Sequence, residues 1–299
     1  MKRMLFIMNP YAGQKKASKY LSEILLLFGN AGYEVTVHMT RNTGDAADAA
    51  YRRGKDMDVV VCCGGDGTLN ETITGLLRAQ VDIPLGYIPA GTTNDFASSL
   101  NLSTNVMQAA QDIVDGHPIP YDIGRFGNRY FSYVASFGAF TKASYAVPQS
   151  IKNALGHTAY VLGGISELSQ IRNEHIRMEI DGEVVEDDFL FGAICNSTSI
   201  GGIINLKSTQ VDMGDGKFEI LLIRAARSLA EIGECIQAVQ SQKYDCGMIT
   251  FRSARKVRIF ADPSMPWTLD GEREDGHEEV LVENIHRGVR IIKRVENHD

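Results

Sequence analysis

Four short apolar runs, Met4 to Met8, Tyr33 to Met39, Asp58 to Cys63 and Ile83 to Pro89, punctuate the first ~120 residues and are separated by longer segments with helical periodicity. That alternation restricts this half to a parallel sheet covered by helices, wound on both sides. Between the first two runs, Ala17, Leu21, Ile24, Leu25 and Phe28 fall on one helical stripe, and Gly29, Asn30 and Gly32 supply its stop signals.

From about Tyr121 the texture changes to period-two segments: residues 129–137, 176–194, 217–223 and 256–262, with Gly and Asp at the turns. The expected fold class is an α/β N-terminal domain with a parallel sheet, followed by a β-rich, antiparallel, sandwich-like C-terminal domain. Helices are expected near Asn153 to Ile171 and Leu229 to Gln242. The domains are read as 1–122 and 123–288, and the last run, Gly288 to Val295, is a strand that returns to either one; 289–299 then complete the first.

With 299 residues, 44% of them hydrophobic, the chain can bury two cores. Its formal charge of -7 argues against nucleic acid as a partner. Five cysteines without a C-x-x-C indicate neither a disulfide framework nor a zinc site, and they fit a reducing cytoplasm. No apolar stretch approaches the ~18 residues that cross a bilayer, so membrane contact is expected to be peripheral.

The sharpest local signal is Gly64-Gly65-Asp66-Gly67-Thr68-Leu69-Asn70-Glu71, between an apolar run and a helical segment. Glycines let the main chain approach a ligand, and a helix start favours phosphate. Asp66 there suits a phosphate-bound Mg²⁺. The plainer reading makes Thr68 and Glu71 a capping box and the glycines a turn. A similar loop, Pro89 to Phe96, follows the next run. Asn9-Pro10-Tyr11-Ala12-Gly13 and Thr40 to Asp45 follow the first two, which puts four loops on the edge where α/β sheets bind ligands.

Later in the chain, Asp270-Gly271-Glu272 offers a carboxylate able to accept a hydroxyl proton. Asp181-Gly182-Glu183 repeats the tripeptide where a plain hairpin turn is expected, so the motif alone does not separate the two uses. Asp212 and Asp215, followed by Gly216, suit either a hard cation or another turn.

Taken together, N-P-x-x-G at Asn9 to Gly13, G-G-D-G-T-L-N-E at Gly64 to Glu71, P-x-G-T-x-N-D-F at Pro89 to Phe96 and D-G-E at Asp270 resemble the bacterial soluble diacylglycerol kinases. These are related to sphingosine and ceramide kinases. The resemblance implies an ATP-dependent lipid kinase, working in the cytoplasm and transiently at the inner membrane surface, as a possible homodimer. It implies ATP contacts from Asn9, Pro10, Tyr11, Ala12, Gly13, Thr40, Gly65, Asp66, Gly67, Thr68, Leu69, Asn70, Glu71 and Thr92. Asp270 becomes the proton acceptor beside a catalytic Asp66, in a cleft between domains. Asp212, Asp215 and the main-chain oxygen of Lys217 become a Mg²⁺ site, and Asp122 matches a further acidic position of the family.

Two departures stand out: Thr93 where many members have Gly, and Cys62 and Cys63 where many have small residues. For membrane access, the segment Ile151 to Ile171 and the cluster Arg252, Arg255, Lys256 and Arg258 are candidates, with a packed helix and a solvated strand face as the plain alternatives. An NAD kinase, which shares a G-G-D-G loop, and a binding protein without turnover are the rival functions.

Overall fold

The structure, a computed structural model, describes residues 1–15, 17–138, 173–200, 204–206 and 211–294. The expected helix near Asn153 to Ile171 lies outside them. The chain divides into two compact units, one of residues Met1–Ile123 and His286–Asp299, the other of Gly124–Ile285.

In the first unit, β1 (Lys2–Met8), α1 (Leu21–Asn30), β2 (Tyr33–Met39), α2 (Asp45–Arg53), β3 (Val59–Gly64), α3 (Asp66–Arg78), β4 (Pro84–Pro89), α4 (Asp95–Ser99) and α5 (Val106–Asp115) follow one another. The strands are parallel, in the order β4-β3-β1-β2. β1 is the centre from which the chain winds first to one side and then to the other, so the switch point lies between the ends of β1 and β3. β1 alternates its side chains across the sheet: Met4, Phe6 and Met8 join Ile24 and Phe28 of α1 and Ala109, Ala110 and Ile113 of α5 in one core. On α1 the expected stripe is the buried one, through Ile24 and Phe28, and the helix stops as Gly32 turns at φ +85°.

The second unit is antiparallel. It takes in β5 (His117–Phe126), which starts in the first unit, then β6 (Arg129–Phe131), β7 (Val134–Gly138), β8 (Glu174–Ile180) and β9 (Glu183–Cys195). After the short β10 (Ser199–Ile200) and β11 (Ile204–Asn205) come β12 (Phe218–Arg224), α6 (Leu229–Ser241), β13 (Ile249–Ala254), β14 (Lys256–Phe260), β15 (Trp267–Leu269), β16 (Glu272–Glu274) and β17 (Glu279–Lys293). β9 is long enough to serve three partners, β8 along Glu183–Phe189, then β12 along Phe189–Cys195 and β7 along Phe191–Cys195. Its core gathers on Trp267, whose ring stands 4.9 Å from those of Phe126 and Phe137. An indole so enclosed anchors the surrounding strands by area and by edge contacts.

The final run resolves the question left open by its sequence. β17 pairs antiparallel with β14 through Glu279–Glu283 and parallel with β4 through Arg290 and Ile291. One strand therefore completes both sheets.

Candidate active site

The loops that leave β1, β3 and β4 are drawn together where glycine removes the side chain. Gly13 has φ +51°, and a Cβ on it would lie 2.1 Å from the Ala90 carbonyl oxygen. A Cβ on Gly91 would lie 2.6 Å from Gly65 Cα. Main chain meets main chain at both places, which no other residue type permits. Ala90 N–H donates to Gly64 O at 2.8 Å, and Asn9 N–H to Cys63 O at 2.9 Å, extending the parallel ladder to the loop bases.

Side chains then lock each loop. Asn9 Oδ1 accepts from Tyr11 N–H at 3.0 Å, and Asn9 Nδ2 donates to Thr68 Oγ1 at 3.3 Å, which fixes the first loop to the first turn of α3. Asn94, at φ +53°, accepts from Gly91 N–H and donates back to Gly91 O at 2.9 and 3.1 Å. Thr92 and Thr93 are the exposed tip of that loop.

Asp66 links the two glycine loops. Its carboxylate accepts from Asp95 N–H at 3.1 Å, Phe96 N–H at 3.3 Å and Thr93 Oγ1 at 3.3 Å. Burial raises its pKa above the ordinary carboxylate value, against the pull of these donors. Thr93, the departure from the family pattern, is thus a partner of Asp66.

Glu71 reaches the fourth loop instead of its own helix start. Its two oxygens accept from Gly44 N–H at 2.7 Å and Ala46 N–H at 3.2 Å, while Thr40 N–H donates to Met8 O at 2.8 Å. The capping box expected as the plain reading of Thr68 and Glu71 is not formed. α3 already begins at Asp66 with Gly65 as its cap, so Glu71 lies past the first turn. The first bond of α3 runs from Leu69 N–H to Gly65 O, which leaves the N–H groups of Asp66, Gly67 and Thr68 ahead of the ladder. Leu69 itself is fully buried with its N–H in that bond, so it contributes packing. Asn70 faces Thr74 at 3.5 Å, and Tyr11 is largely exposed.

Sequence reasoning placed Gly44, Asp45 and Asn94 in the candidate loops but gave none of them a role of its own. Burial of Asp45 pushes its pKa up, but the Arg41 N–H and His38 outweigh this and hold it below the ordinary value. The positive φ of Gly44 and Asn94 gives residue types that a turn search selects, whereas their partners are set by loop packing.

In the second unit, Asp270 and Asp181 have the same local structure. Each opens an Asp-Gly hairpin turn, with φ of 50° and 82° at Asp270-Gly271 and 46° and 94° at Asp181-Gly182. Each carboxylate then accepts main-chain N–H groups from an adjoining segment. Asp181 takes Arg255 and Lys256. Asp270 takes Ser132 at 2.5 Å, Tyr133 at 3.0 Å and Val134 at 3.1 Å.

Asp212 and Asp215 fold a turn, accepting from Gly214 N–H at 3.0 Å and Lys217 N–H at 2.9 Å, and Lys217 O accepts from Asn284 Nδ2 at 3.0 Å. Glu219, two residues on, is buried; burial and then the charge of Asp215 push its pKa up to about 8. Its Oε2 has no hydrogen-bond partner among the described residues. Among these residues no three His, Cys, Asp or Glu side chains converge on a metal position. Asp122, fully buried, accepts from Arg287 N–H at 2.7 Å and pairs with His286 Nδ1 at 3.0 Å, all within the first unit.

Three of the four basic side chains in the cluster have acidic partners. Arg252 pairs with Glu183, Lys256 with Glu283 at 3.3 Å, and Arg258 with Glu279 at 2.6 Å. Among the described residues, no helix is long and apolar enough to cross a membrane.

Comparison with known proteins fits this arrangement. The model of the diacylglycerol kinase catalytic domain matches residues 3–126, and that of the YegS C-terminal NAD kinase beta sandwich-like domain matches 134–292. The diacylglycerol kinase of Bacillus subtilis (strain 168) is 32% identical over 274 residues, covering 91% of this chain and 90% of its own length. This chain belongs to the diacylglycerol kinase family. Another family member, the diacylglycerol kinase of Staphylococcus carnosus (strain TM300), is 32% identical over 273 residues, 91% of this chain and 89% of that one. A crystal structure of a diacylglycerol kinase from Bacillus anthracis str. Sterne shares the fold with a TM-score of 0.75 at 22% identity, covering 98% of this chain and 97% of that one. Membership in the diacylglycerol kinase family makes the chain a kinase, an enzyme that phosphorylates a hydroxyl group.

Proposed function

We propose that this kinase transfers the γ-phosphoryl group of ATP to a lipid hydroxyl, and that the lipid is diacylglycerol, giving phosphatidic acid. The observation that carries this reading is the cradle closed by Gly13 on Ala90 and Gly65 on Gly91, in a chain whose curated relatives are named diacylglycerol kinases. Phosphoryl transfer needs little covalent help from protein, so positioning and charge placement do most of the work.

In this mechanism the N–H groups of Asp66, Gly67 and Thr68, with the dipole of α3, receive the phosphates. Asn9 to Gly13, Thr40, Gly65, Asn70 and Thr92 border the nucleotide. Asp66 and Glu71 act mainly as ties that hold the loops in place. Asp270 orients the acceptor hydroxyl and takes its proton as transfer proceeds. Three main-chain donors fix the direction of its carboxylate, which suits an acceptor whose task is geometric.

Asp212, Asp215 and the main-chain oxygen of Lys217 would hold Mg²⁺. The fit rests on their hard oxygen donors and on the buried Glu219 carboxyl two residues on, whose Oε2 has no hydrogen-bond partner among the described residues. When bound, the ion supplies positive charge in an acidic region. The kinase acts from the cytoplasm and visits the inner membrane surface, because the tails of its substrate stay in the bilayer.

The test is a panel of acceptors offered with γ-labelled ATP and Mg²⁺ in mixed micelles: diacylglycerol, phosphatidylglycerol, a sphingoid base, ceramide and, without micelles, NAD. Label in diacylglycerol is expected. Label in NAD alone would overturn the lipid reading.

A further inference from the structure

Arg224, at the end of β12, gathers three segments of the second unit. Its guanidinium donates to both oxygens of Glu231 at 2.6 and 3.2 Å, and its Nε donates to Gly247 O at 3.0 Å. Its own N–H reaches Met248 O at 2.9 Å. Glu231 sits in the first turn of α6, and Cys235 lies four residues on, on the same face of the helix. Gly247 follows Cys246 directly. The clamp therefore lays the loop that holds Cys246 along the helix face that holds Cys235, close enough for Cys246 to add to the upward push that burial exerts on the Cys235 thiol.

We propose that Cys235 and Cys246 are a peroxide-responsive thiol pair that closes reversibly to a disulfide, stapling α6 to the segment leading into β13. The two thiols differ in access. Cys246 is partly exposed, while Cys235 is 8% exposed and burial pushes its thiol up to about 12. Cys246 is thus the thiol a peroxide reaches, and Cys235 is the resolving partner. In the first step the Cys246 thiolate attacks a peroxide oxygen; an S–O bond forms, the O–O bond breaks and hydroxide leaves, taking up a proton as water. In the second, Cys235 sulfur attacks Cys246 sulfur, the S–O bond breaks, and the departing hydroxide takes the Cys235 proton. Two thiols and one hydrogen peroxide give one disulfide and two waters; the thiols are oxidised and the peroxide reduced.

The other three cysteines do not compete. Cys62, Cys63 and Cys195 are completely buried, and Cys62 and Cys63, consecutive in β3, point to opposite faces of the sheet.

The full chain, free of reductant, should be treated with equimolar hydrogen peroxide, alkylated, digested and weighed. The expected result is loss of two of the five thiols, a mass lower by two hydrogens, and one linked peptide pair, Cys235 with Cys246, released by dithiothreitol. Cys235→Ser should leave Cys246 as a sulfenic acid that dimedone captures, and Cys246→Ser should leave Cys235 reduced. Conversion of Cys246 in the wild type to sulfinic acid with Cys235 still alkylatable would overturn the proposal. So would a Cys246-to-Cys246 link between chains. The wild-type reading stands alone, so a poorly folding variant would not blunt it.

Discussion

At Gly91 there is no room for a methyl group, because Gly65 Cα would stand 2.6 Å from it with backbone on both sides. Gly91→Ala should therefore cost about 1–3 kcal/mol in urea denaturation, the usual range for overpacking, and should weaken ATP binding in the same protein. Glu71→Gln tests the tie to the fourth loop: it replaces one accepting oxygen by a donor facing an N–H. We expect roughly tenfold weaker ATP binding, about 1.4 kcal/mol, with the fold intact, measured by titration calorimetry. The glycines were legible in sequence because their value is the absence of a side chain, which the letter itself records. The partners of Asp66 and Glu71 were not, since they lie 25 to 30 residues away and depend on how loops pack. Asp270 shows the same limit: its tripeptide is written twice, and both copies make the same turn.

At the scale of the element, two S/T-x-x-E sequences had different outcomes. Thr68 to Glu71 forms no capping box because the glycines start α3 earlier. At Ser228 to Glu231, Ser228 Oγ does accept from Glu231 N–H, at the start of α6. Arg224 then holds the Glu231 carboxyl at about 2, below its ordinary 4.5. A depressed pKa means that the stabilising contribution is complete above 4.5 and is lost as pH falls toward 2. Glu231→Gln should thus be less stable than wild type at neutral pH, with the difference shrinking as the pH is lowered through that window. Urea melts at stepped pH measure it; a constant difference would contradict the assignment. The parallel strands of the first half were legible because each is a bounded apolar run. The register of β9, which changes partner midway, was not, since period-two alternation is the same against β8 and β12.

At the scale of the molecule, β17 decides what the first unit is. Its sequence reads as a strand for either domain, and the pairing of Ile291 with Leu85 completes the parallel sheet from the far end of the chain. Ile291 is fully buried, so Ile291→Ala should cost about 2–5 kcal/mol, as other buried Ile truncations do. The loss should appear in ATP binding as well as in thermal melting, although the residue is remote in sequence from both glycine loops.

The account as a whole turns on one measurement: transfer of labelled γ-phosphate from ATP to diacylglycerol by wild type and Asp270→Asn side by side, with ATP affinity measured for both. We expect label in phosphatidic acid with the wild type, and a loss of turnover in the variant of about 10²–10⁴-fold with ATP affinity nearly unchanged. Wild-type protein that binds ATP yet labels no lipid, or a variant that turns over like wild type, would contradict it.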